Sequence, residues 1–114
     1  MICAKIFKKN GQTYKIVVSG HSGYSEEGSD IVCASISTLS QMVCVGLENV
    51  LKLKPITKIS YGYLECELTE DIIKNNNKSV QVIFDTFEST FMLLLDGNKT
   101  LKKYVKLEVK NEIY

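Results

Sequence analysis

One histidine, His21, and one cysteine, Cys33, bracket the stretch Gly20-His21-Ser22-Gly23-Tyr24-Ser25-Glu26-Glu27-Gly28-Ser29-Asp30-Ile31-Val32-Cys33. Thiol chemistry requires an ionised sulfur, a group that takes and returns the proton, and access for a substrate. His21 is the only imidazole in the chain. Asp30, with Ser29 as the neighbouring choice, has the side-chain type that caps a helix N-terminus. With Asp30 as the cap, Cys33 falls in the first helical turn, where free backbone N–H groups and the positive end of the helix dipole favour a thiolate. Burial against apolar neighbours would act the other way, and the sequence leaves the balance open. The same amides, from Ile31 to Cys33, are placed to hold an oxyanion. The run Ala34-Ser35-Ile36-Ser37-Thr38 consists mainly of small side chains and would let another backbone approach the thiol.

The elements that must position these two residues follow from periodicity. Residues 2–8 and 13–19 are rich in β-formers and flank Asn10-Gly11, a strong hairpin signal. Ile2, Ala4 and Ile6 alternate onto one face of the first strand, and Tyr14, Ile16 and Val18 onto one face of the second. Residues 20–29 read as a loop. Val32, Ile36, Leu39, Val43, Leu47 and Val50 recur at helical spacing, predicting one helix over about 31–53 that ends before Pro55. Residues 57–68 read as a strand or a bent pair of strands, with a change of phase beside Gly62. Tyr61 and Tyr63 there fit a half-buried strand, with a groove lining as the other reading. Asn75-Asn76-Asn77 reads as a loop, and Ser79 as the cap of a second helix over 80–96. That helix carries Val80, Ile83, Phe84, Phe87, Phe91 and Leu94 inward and stops at Gly97. A last strand over 103–109 places Val105, Leu107 and Val109 on one side.

This order, β-β-α-β-α-β with the third strand readable as split, predicts an α+β fold. Its form is a two-layer sandwich: a mostly antiparallel sheet with two helices on one face. A length of 114 residues suits a single domain over 1–114. The opening Met-Ile-Cys-Ala-Lys-Ile-Phe reads as a strand, not a signal peptide, and no uninterrupted apolar run approaches a membrane span. A cytoplasmic protein with no membrane partner is expected.

The other cysteines, Cys3, Cys44 and Cys66, lie among apolar residues and read as packing groups. There is no Cys-x-x-Cys pair, and one histidine does not complete the usual zinc spacings, so neither metal nor cofactor is expected. The net charge is +1 and all fourteen basic residues are lysine. Without arginine, the bidentate fork used to read phosphates and base edges is missing, and direct nucleic-acid binding is not expected. The clusters Lys52/Lys54/Lys58 and Lys99/Lys102/Lys103 read as solvated faces.

Gly20-His21, a glycine-bearing loop, then Asp30-Ile31-Val32-Cys33-Ala34 and Ser37 closely resemble the motif of the ribosomal-processing cysteine protease family. The resemblance extends over nearly the whole chain in size, opening hairpin and order of elements. It implies a homodimeric cysteine endopeptidase that removes the N-terminal extension of large-subunit ribosomal protein twenty-seven, cutting after an aromatic residue. By the same resemblance His21 is the catalytic histidine and Cys33 the nucleophile, with Gly20, Gly23, Asp30 and Ser37 in supporting or substrate-binding roles. Ser22 and Ser35 stand where alanine is common in that family. The rival readings are a non-catalytic ribosome-associated binding module and a redox-sensing or acyl-transfer enzyme using the same thiol.

Overall fold

The opening hairpin forms as its turn chemistry predicts. Strands β1 (Ile2–Lys9) and β2 (Gln12–Gly20) pair antiparallel around Asn10 and Gly11, both at positive φ (51° and 81°). The computed structural model describes residues 1–21 and 31–113. The inward phase of β1 is as expected. In β2 the register slips between Phe7 and Lys8, so Tyr14 is the extra residue of a bulge and Thr13, not Tyr14, turns into the core. Gln81 satisfies the backbone that this bulge exposes. Its Nε2 donates to the Thr13 carbonyl at 2.6 Å, and its Oε1 accepts from the Thr13 N–H at 2.9 Å.

Helix α1 (Ile31–Val45) runs on through a wider π turn over Gly46–Val50. The extra residue in that turn rotates the apolar stripe, so Leu47 is buried while Val50 is 71% exposed, contrary to the simple 3.6-residue reading. At 20 residues and a mean hydropathy of 1.5, Ile31–Val50 is apolar enough by length and composition to cross a membrane. Val32, Ile36, Val43 and Leu47 spend that apolarity on the core.

The segment after Pro55 is a tight hairpin. Strands β3 (Ile56–Ser60) and β4 (Tyr63–Glu67) turn through Tyr61 and Gly62, which accounts for the phase change as a reversal of direction.

The asparagine run is not a loop. Helix α2 (Glu70–Leu95) passes through it with only Asn76 leaving helical geometry (φ −134°, ψ 16°). Thr69, not Ser79, is the cap: its side chain accepts from Ile72 N–H, with Glu70 and Asp71 in the first turn. Each asparagine costs a helix about 0.7 kcal/mol. A cap and a buried Ile72 return about 1 and 2 kcal/mol, enough to hold the turn before the kink.

A short helix α3 (Lys99–Lys102), unforeseen in the sequence, leads into β5 (Val105–Glu112). The sheet order is β3-β4-β2-β1-β5, antiparallel except for β5, which lies parallel to β1 after the helical crossover. Both long helices cover one face. Ile36, Leu47, Val80, Phe84, Phe87 and Phe91 meet Ala4, Ile6, Ile16, Cys66 and Val105 in one core, the expected two-layer α+β arrangement. Past Phe91, Met92, Leu93 and Leu94 are exposed.

Candidate active site

His21 follows directly on the last residue of β2, and two glycines shape its surroundings. Gly20 has φ +97°, and a β-carbon there would run into the Met1 carbonyl oxygen. Its N–H donates to the Gly62 carbonyl at 2.9 Å, which ties the end of β2 to the β3–β4 turn. Gly62, at φ +72°, leaves its α-carbon bare against the imidazole. A β-carbon at this position would lie 2.7 Å from His21 Nε2 and 3.0 Å from Cε1. The Tyr61 ring packs against the imidazole at a tilt, with its centroid 4.8 Å from that of His21 and the planes 36° apart.

Cys33 is half-buried in the first turn of α1, and its Sγ lies 4.0 Å from His21 Nδ1. The nitrogen facing the thiol is therefore the one nearer the histidine backbone. At this distance a thiol and an imidazole can share a proton after a small adjustment.

Both residues open onto a groove of about 600 Å³ between α1 and the β3–β4 hairpin. Ile2, Val18, Ile36 and Leu64 give it apolar lining, while Ser37, Gln41 and Ser60 add polar groups. Ser37 is exposed here and its Oγ accepts from Gln41 Nε2 at 3.1 Å. An apolar cleft with a few convergent polar groups is the ordinary form of a binding site.

The fold thus brings His21, Cys33, Gly20 and Ser37 to one groove. Gly23 and Asp30, expected as supporting residues, lie outside the described residues, as does most of the glycine-bearing loop. Tyr61 and Tyr63 both line the groove, the second of the two readings the sequence offers for them, while Gly62 is read there only as a change of strand phase. Tyr61 is not part of a half-buried strand but sits in the turn, 70% exposed. The one local signal, a Tyr-Gly pair between two β-rich runs, marks a turn without saying what the turn meets.

The remaining thiols are separate from the groove. Cys44 and Cys66 are buried between α1 and β4, and their mutual hydrogen bond together with burial pushes the Cys66 thiol up. A thiol so held is a packing group, not a nucleophile.

Solved structures share this fold. A Staphylococcus aureus ribosomal processing protease, solved with a covalently linked product peptide, superposes with a TM-score of 0.81 at 20% identity, over 96% of this chain and 100% of that one. The same protease with a substrate peptide gives 0.77 at 19% identity, with the same coverage. A Streptococcus mutans protein gives 0.78 at 27% identity, over 98% of this chain and 96% of that one. No curated protein matches the sequence. The sequence model for cysteine protease Prp matches residues 1–106, nearly the whole chain, and by that match the chain belongs to the Prp family of ribosomal-processing cysteine proteases.

Proposed function

We propose that this chain, acting over residues 1–114 as a single protease domain, removes the N-terminal extension of large-subunit ribosomal protein twenty-seven. Cys33 is the nucleophile and His21 its proton partner. The observation that carries this reading is the 4.0 Å approach of Cys33 Sγ to His21 Nδ1 at the mouth of the groove.

The steps follow from these positions. His21 takes the Cys33 proton, and the thiolate attacks the carbonyl carbon of the scissile bond. The backbone amides at the start of α1 stabilise the oxyanion. As the C–N bond breaks, the imidazolium returns its proton to the departing amine, which is the new N-terminus of the ribosomal protein. A thioester to the extension remains. Water then attacks it, giving its proton to His21, and the extension leaves as a carboxylate with the thiol restored.

The apolar lining of the groove suits an aromatic side chain ahead of the cut. Ser37, Gly20, Gly23 and Asp30 are assigned supporting roles around the pair. The exposed Met92-Leu93-Leu94 end of α2 supports assembly as a homodimer, and the expected compartment is the cytoplasm.

The test is cleavage of the cognate extended ribosomal protein, read by intact mass with wild type and with Cys33→Ala. Loss of the extension with wild type alone is the expected result. Cleavage by both proteins would remove Cys33 from the mechanism. Cleavage by neither, with both folded, would leave a groove that binds without cutting.

A further inference from the structure

We propose that Tyr61 is a positioning residue for catalysis: its ring, packed at a tilt on the imidazole, works with the bare α-carbon of Gly62 to hold His21 in the plane in which Nδ1 meets the Cys33 thiol. The inference rests on the reading of Cys33 and His21 as the catalytic pair.

His21 needs such support. It is exposed, and the bond to an imidazole ring has a broad, two-fold torsional preference. A half-turn about that bond would replace Nδ1 by Cδ2 on the side of the thiol, and the proton would have no acceptor there. Two ring contacts and one backbone tether oppose the rotation out of plane through which that turn must pass. The Tyr61 ring lies against the imidazole with centroids 4.8 Å apart and planes tilted by 36°, within the separation of favourable aromatic pairs. Gly62 crowds the Nε2 edge of the ring, where even a β-carbon has no room. The Gly20 N–H to Gly62 carbonyl bond holds the whole turn against the residue preceding His21.

Tyr61 is 70% exposed, lies outside the core and lines the groove beside His21.

The sole histidine makes the test direct, because its imidazole gives one set of NMR signals. In wild type those signals are expected upfield from the ring current of Tyr61. Tyr61→Ala should lose that displacement and Tyr61→Phe should keep it. With the extended ribosomal protein as substrate, Tyr61→Ala should lower kcat about tenfold with KM within about twofold, and Tyr61→Phe should restore it. Histidine signals that do not move in Tyr61→Ala, or a loss carried by KM alone, would overturn the proposal while a dead Cys33→Ala leaves the catalytic pair standing. A Cys33→Ala variant that still cleaves would instead remove the pair itself. Because Tyr61 lies in an exposed turn, Tyr61→Leu provides a second variant with apolar bulk and no ring, and it should behave as Tyr61→Ala.

Discussion

The α-carbon of Gly62 lies so close to the imidazole of His21 that a single added methyl group would be 2.7 Å from Nε2. Residues forty-one positions apart in the chain thus share one van der Waals surface at the groove. Gly62→Ala forces the ring aside and also strains a backbone at φ +72°. The backbone cost is about 1 kcal/mol, and displacement of the ring should reduce kcat/KM by about a hundredfold. Urea unfolding and cleavage kinetics on the same preparation check the two effects separately.

The four free thiols should divide by position. Cys33 and Cys3 are half-buried, while Cys44 and Cys66 are buried in the core. Iodoacetamide on the native protein should label the first two, and the other two only after unfolding. His21→Ala should slow labelling of Cys33 by about tenfold or more and leave Cys3 unchanged. Peptide mapping of a labelling time course reads both.

Glu65 links acid stability to the outer face of the hairpin. Tyr63 Oη donates to Glu65 Oε1 at 2.6 Å, and Lys15 and Lys58 lie at 4.0 and 3.8 Å. The tyrosine hydrogen bond first, then the two lysines, hold the Glu65 carboxyl below its ordinary value. A carboxylate with a lowered folded pKa stabilises fully above the unfolded value, near 4.3, and that contribution is lost as pH falls through the folded value. Tyr63→Phe should therefore lower the urea midpoint at pH 7 and make less difference at pH 2. Equal shifts at both pH values would exclude the linkage.

Gln81 and Thr13 should respond with opposite signs. Gln81→Ala leaves both the N–H and the carbonyl of Thr13 without their helix partner, at a cost of about 2 kcal/mol. Thr13 Oγ1 is buried and makes no hydrogen bond among the described residues, so Thr13→Val should stabilise by about 1 kcal/mol. Thermal unfolding of the two variants checks the pair.

Much of this organisation was legible in the residues themselves. Asn10-Gly11 announced its hairpin, and the helical spacing of Val32, Ile36 and Val43 announced the inward face of α1. These signals are local: a turn or a helix face is set by neighbours one to four positions away. The misreadings at Tyr14, Val50 and Asn76 share one cause. Each lies where the chain leaves the regular period, and at the Tyr14 bulge it is Gln81, far along the chain, that satisfies the backbone and makes the departure tolerable.

The sequence alone determined that a lone histidine would end one strand, that a cysteine would open the next helix, and that small residues would surround the thiol. Only the tertiary structure decided what else stands at the site. β4 pairs with β2, from Ser19 opposite Tyr63 to Lys15 opposite Glu67, and that register carries Tyr61 and Gly62 onto His21. No local pattern encodes the pairing. It is the arrangement that buries Leu64 and Cys66 beneath the helices together with Ile16 and Val18, so the core as a whole selects the imidazole's neighbours.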